Sequence, residues 1–204
     1  MTRRAALGFR MHSGWGALVA VSNDGMLEVI ERRHIVVAEA HVPGSKQPYH
    51  YAENLGFRQA EQYIAGCSTT SGQLAATAVR ELLSQLTKSE YRVQRSAILT
   101  ASGRALPSLD KILASHALIH TAEGEFFRSI VHTACQEAGL RVTRFREREL
   151  EECTKKAFGR QANQVRQRIA TLGKRLGAPW TQDEKLAALA AMLVLTASEP
   201  SVPE

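Results

Sequence analysis

Cysteine is scarce and scattered in this chain. Cys67, Cys135 and Cys153 are an odd number and form no Cys-x-x-Cys pair, which excludes a disulfide framework and a thiolate zinc ribbon. Cys135 lies on an apolar helical stretch and reads as a buried thiol. Long apolar runs are also missing: none approaches the roughly 20 residues a bilayer-crossing helix needs. The opening "MTRRAALGF" breaks at Gly8 and then Arg10, too short for the apolar region of a signal peptide. The expectation is a cytoplasmic protein with no membrane partner. There is no internal repeat and no low-complexity segment. What is present is 204 residues, 44% hydrophobic, enough for one domain with a sizeable core over residues 1–197. The tail 198–204, "EPSVPE" with its preceding Ser, is expected to lack order.

Net basic charge is absent from most of the chain. Residues 141–175 hold eleven Lys and Arg against four Glu, a net +7, whereas the remainder carries −1 of the total +6. A basic character confined to one segment admits a polyanion such as nucleic acid. The ordinary alternative is a solvated helical face.

The order of elements follows from hydrophobic periodicity and turn residues. Strands are predicted at Ala5–Met11, Trp15–Ser22 and Leu27–Val37, joined by "HSG" and "SNDG", which makes an antiparallel meander. A loop from Glu39 to Leu55 holds "QPYHYAE". Helix is predicted at Arg58–Ile64 and at Ser71–Leu86, the latter with an apolar stripe through Leu74, Ala78 and Leu82. A strand at Ala97–Ala101, a helix from Ser115 closed by Gly139, and a strand "LRVTRF" make a right-handed βαβ unit. Three helices follow: Glu147–Phe158, Gln161–Leu176 and Gln182 to about Thr196. The last opens on Thr181 with Glu184 three residues on, a capping box.

This order resembles the ribonuclease H-like fold, which includes the Holliday junction resolvases. "LGFRMHSGWGALVAV" (Leu7–Val21) resembles the resolvase opening, a strand of type L-G-I-D, a small turn, then T-G-Y/W-G/A. "DEKLAALAAMLVL" (Asp183–Leu195) resembles the acidic start of the final resolvase helix. "HSGWGALV" and "SHALIHTAEGE" also resemble segments of a family of bacterial proteins with no assigned activity. The resemblance implies an α/β fold: a mixed five-stranded sheet flanked by helices, with extra C-terminal helices. It also implies a carboxylate cluster holding two divalent metals, and here this chain departs. Arg10 holds the first-strand aspartate position, and a guanidinium cannot ligate a metal. Thr100, Ala101 and Ser102 stand where a second acid belongs. Only Asp183 and Glu184 remain, and the capping box accounts for Glu184. No Mg²⁺ or Mn²⁺ is therefore expected at the nuclease position, and no cofactor is assigned.

Other candidates remain. His116, His120 and Glu123 lie within about 60° on one helical face. They read either as transition-metal ligands or as polar groups of a buried central helix with partners on other elements; the second is the expected one. His12 and Ser13 beside Trp15 suggest a nucleophile pair, but neighbouring residues point apart and no acid orients the imidazole. The ordinary reading is a tight turn with a buried Trp. Arg10 and Arg104 stand at the edge where α/β folds bind ligands. Each is a candidate for anion binding or for a salt bridge to Glu53, Glu123 or Asp183. With Arg160, Arg168, Lys174 and Arg175 they form the candidate anion or nucleic-acid contacts. The preferred reading is a non-catalytic nucleic-acid- or phosphate-binding protein on a degenerate scaffold. The alternatives are a hydrolase or nuclease rebuilt around His12, His50, His116, His120, Glu123 and Asp183, and a scaffold that associates with its own copies.

Overall fold

The computed structural model describes residues 2–101 and 105–197, leaving aside the side chains of residues 173–175. Strands β1 (Arg3–Met11), β2 (Trp15–Ser22) and β3 (Glu28–Val36) form the antiparallel meander. Strands β4 (Tyr91–Thr100) and β5 (Arg141–Arg146) complete a five-stranded sheet of order β3-β2-β1-β4-β5. β4 is parallel to β1 and β5 is parallel to β4. The mixed sheet with helices on both faces agrees with the expected architecture.

β1 is buried on both faces and divides its residues between two cores. Ala5, Leu7, Phe9 and Met11 pack with helices α2 (Phe57–Lys88) and α4 (His116–Glu137), through Val79, Leu82, Phe127 and Val131. Ala6 faces the opposite core, which is built on α7 (Gln182–Thr196) with contributions from α5 (Leu150–Phe158) and α6 (Ala162–Leu176). Gly8 shares the α7 face. A Cβ on Gly8 would stand 1.9 Å from the Ala187 carbonyl oxygen, so the missing side chain is what lets α7 lie so close to the sheet. α7 is alanine-rich where it meets the strands, with Ala187, Ala188, Ala190 and Ala191 all fully buried. By the same two-residue period, Arg10 comes out on the α7 face at the strand's end. That is why it can meet the start of α7.

Four local expectations differ from the structure. The weak and strong helical stretches are one 32-residue helix, α2. The Ser/Thr/Gly-rich segment between them does not break it. Thr69 and Thr70 hydroxyls donate to the carbonyls of Ala65 (3.1 Å) and Gly66 (3.2 Å) of their own helix. The buried stripe Ala60, Cys67, Ser71, Ala75 also runs straight through, so tertiary burial overrides weak local propensity. β4 starts at Tyr91, six residues before the apolar run, because its polar first half pairs with Arg3–Ala5 of β1. The loop after β3 contains a short helix, α1 (Pro48–Ala52), with Pro48 at its first turn. A further short helix, α3 (Leu109–Leu113), precedes α4. Trp15 is half-buried rather than buried. No helix among the described residues is long and apolar enough to cross a membrane.

Candidate functional site

β1, β4 and β5 run parallel, so their carboxyl ends share one edge. The turns after β1 and β5 and the N-terminus of α4 open onto that edge. At the end of β1, the Arg10 guanidinium makes a two-pronged contact with Glu147, Nε to Oε2 at 3.2 Å and Nη2 to Oε1 at 3.1 Å. Its Nη1 donates to Asp183 Oδ1. Glu147 begins the 3₁₀ turn after β5, and Asp183 lies in the first turn of α7, where the helix dipole favours a carboxylate. Desolvation alone would lower the Arg10 pKa. The hydrogen bond and charge of Glu147, then those of Asp183, outweigh it and raise the pKa instead.

His12 completes this cluster. Its Nε2 is 2.9 Å from Asp183 Oδ2 and 3.0 Å from Arg10 Nη1. A guanidinium only donates, so Nε2 either accepts from Arg10 or donates to Asp183, not both. The His12 ring stacks on Trp15 at 4.3 Å between centroids, and Trp15 stacks in turn on His34 at 4.6 Å. Ser13 is exposed, and the His12 Nε2 turns to Arg10 and Asp183 instead. Thr100, at the end of β4, is buried and donates its hydroxyl to the Phe145 carbonyl at 3.2 Å. Both carboxylates of the cluster are thus held by one built-in cation.

A second cluster lies on the other face of the sheet. His116 and His120, one helical turn apart on α4, bring their Nε2 atoms to 3.1 Å. His50, from α1, sets its ring edge-on to both, with centroids 5.4 Å and 4.7 Å away. One donor atom from each of these histidines lies within 4.8 Å of the others. Behind them Glu123, only 5% exposed, ties α1 to α4. Its Oε1 accepts the backbone N–H groups of Tyr49 (2.6 Å) and His50 (3.0 Å) and sits 3.3 Å from His50 Nδ1. Burial raises the Glu123 pKa, and these contacts with His50 and Tyr49 pull against that rise. Its Oε2 is buried with no protein partner. The buried-helix expectation therefore holds for Glu123 but not for His116 and His120, which are exposed. The first turns of α4 do not sit on the sheet core. They rest on a small separate cluster of Ile112, Ile119 and Ala122, which leaves the neighbouring histidines to solvent.

The basic candidates are spread more widely. Arg160 and Arg168 are exposed. Arg104 and the side chains of Lys174 and Arg175 lie outside the described residues. Arg166 is half-buried and lies 3.5 Å from Glu151. Arg128, on α4, was not foreseen. It is half-buried, donates from Nη1 to the Gly124 carbonyl, and leaves Nε buried without a partner. Burial lowers its pKa, and the nearby charges of Arg144 and Arg10 add to this while Glu125 and Glu147 oppose it. Glu147 was missed too, although an acid directly after a parallel strand is by that position alone on the ligand-binding edge. Of the two readings of Arg10, anion binding or a salt bridge to Glu53, Glu123 or Asp183, the structure shows ion pairs with Asp183 and with the unforeseen Glu147.

No family model and no curated protein matches the chain by sequence. Solved structures do match. Thermus thermophilus RuvC in complex with a Holliday junction substrate aligns over 95% of this chain and 93% of that one, with TM-score 0.54 and 13% identity. A second structure of Thermus thermophilus RuvC covers 94% and 93%, with TM-score 0.54 and 11% identity. That likeness over nearly the whole chain, together with the mixed five-stranded sheet described above, shows the ribonuclease H-like fold in its resolvase-like form.

Proposed function

We propose that residues 1–197 form one domain that binds nucleic acid or another phosphate-bearing ligand without cleaving it. The observation that carries this reading is Arg10. Its guanidinium lies between Glu147 and Asp183 at the strand end, where nucleases of this fold place a carboxylate that ligates metal. A fixed organic cation there removes both the vacancy and the ligand charge that two-metal phosphoryl transfer needs. Anion affinity comes from groups around it. Arg128 has no ion pair among the described residues, and Arg148 is 73% exposed with its nearest carboxylate at 3.8 Å. Arg160 and Arg168 extend the basic surface along the C-terminal segment, with Lys174 and Arg175 assigned to it by sequence. The likeness to a protein solved on a Holliday junction substrate supports the choice of ligand class as an analogy of fold.

A fluorescent DNA titration at several salt concentrations tests this. If about four phosphate contacts form on duplex DNA, log K falls with log salt at a slope near −3.6, roughly −0.9 per contact. The same samples, run on single-stranded and branched DNA with Mg²⁺ or Mn²⁺, should show binding without cleavage, and light scattering should report whether two copies bind together. Absence of salt-sensitive affinity at low ionic strength would leave the basic segment as a solvated face and favour the scaffold reading. A second reading, a hydrolase rebuilt around the histidines, is favoured by the convergence of His50, His116 and His120. Metal-dependent cleavage lost in His120→Ala would establish it.

A further inference from the structure

We propose that His50, His116 and His120 bind one transition-metal ion of the zinc class, with Glu123 as the carboxylate that positions His50. This does not depend on nucleic-acid binding and can fail or stand without it.

The donor chemistry comes first. Three imidazoles converge from two elements, and no Lys or Arg forms an ion pair with Glu123 among the described residues. Imidazole nitrogens select Zn²⁺, Cu²⁺, Ni²⁺ or Co²⁺ over Mg²⁺ and Ca²⁺, which prefer oxygen. The geometry agrees. Nitrogens bound at 2.0–2.1 Å in a tetrahedron stand about 3.3–3.4 Å apart, and His116 and His120 Nε2 are already 3.1 Å apart. The third donor is within 4.8 Å of both, so side-chain rotations that move it by up to about 1.5 Å close the set.

Glu123 gives the second, independent observation. With His50 Nδ1 against its Oε1, the Nε2 of His50 is the nitrogen left for an ion. A ligand histidine held from behind by a carboxylate is the usual arrangement around protein-bound zinc. The same oxygen receives two backbone N–H groups of α1, so the carboxylate fixes the element as well as the ring. A buried carboxylate with an orphan Oε2 is costly without a cation close by. A divalent ion on the Nε2 side of His50 supplies that charge across the ring, whereas the closed cluster around Arg10 carries its own cation. Three protein ligands leave a fourth position. Because His116 and His120 are exposed, that position faces solvent and takes water or a small anion.

The test uses full-length protein without an affinity tag, stripped of metal and titrated with ZnCl₂ by calorimetry. One Zn²⁺ per chain at micromolar affinity or tighter is expected, with a rise in melting temperature as zinc is added. The double variant His116→Ala/His120→Ala, at two exposed positions, should keep its circular dichroism and lose at least a hundredfold in zinc affinity. Glu123→Gln should weaken zinc tenfold to a hundredfold, and His12→Ala should leave it unchanged. Co²⁺ in place of Zn²⁺ should give the intense visible bands of a four-coordinate nitrogen site, absent in the double variant. Absence of stoichiometric zinc in the wild type, or equal affinity in the double variant, overturns the site. A Glu123→Gln protein that binds zinc as tightly as wild type overturns the role of Glu123.

Discussion

Two polar clusters lie at the same edge of this sheet, and they solve the problem of charge in opposite ways. The β1-end cluster is closed. Glu147 and Asp183 both spend their charge on Arg10, a cation that is part of the chain and always ionised. The α1–α4 cluster is open. Its donors are imidazoles, its one carboxylate is buried behind them, and two of its three rings face solvent. The contrast teaches that carboxylates at a strand edge can be neutralised from within the chain. The guanidinium between Glu147 and Asp183 makes that corner self-sufficient in charge.

Breaking the close approach of α7 should damage the closed cluster and spare the open one. Gly8→Ala drives a methyl into the Ala187 carbonyl, and overpacking of this kind costs about 3 kcal/mol. Chemical denaturation should show that loss, while zinc affinity at the histidines, on the other face of the sheet, stays within twofold. Next in size is Arg10→Asp, which turns the closed cluster into three unpaired acids. Because the cluster is only partly buried, a loss of about 2 kcal/mol is expected at low salt. Millimolar Mn²⁺ should recover much of it, and adding Asp183→Asn should abolish that recovery. The wild type should show no such Mn²⁺ dependence. A smaller effect belongs to the basic segment: Arg160→Ala with Arg168→Ala should flatten the salt slope of DNA binding by about 1.8, roughly 0.9 per contact, with unchanged melting temperature.

The smallest effect contrasts a histidine of the α4 core side with the exposed pair. Burial, with Arg144 adding to it, depresses the pKa of His132 below its ordinary 6.5, against weaker opposing contacts from Gln136 and Glu125. Its Nδ1 is buried without a partner. The unfolded chain therefore takes up this proton more readily than the folded one. The stability that His132 contributes is complete above pH 6.5 and is lost as pH falls through that value toward the depressed one. Denaturation midpoints measured from pH 8 to pH 5 should fall, and His132→Gln should make that fall shallower.

What could be read from the chain alone was whatever short-range chemistry fixes. The apolar runs of β1 and β2, the turn residues between them and the strand–helix–strand spacing from Ala97 to Phe145 specify the sheet, because a short apolar run bounded by turn residues is a strand covered on both faces. The capping box at Thr181 and Glu184 is likewise local and is present as expected. Local signals misled where burial outweighed them, as in the Ser/Thr/Gly stretch that α2 runs straight through. The two clusters themselves were decided only by tertiary structure. Glu147 meets Arg10 across 137 residues, and Glu123 meets His50 across 73. Sequence spacing carries no record of such contacts. They exist because the parallel strands bring their ends to one edge, and because α1 docks on α4 through the buried Glu123 carboxylate and the edge-on contact of Tyr49 with Phe126.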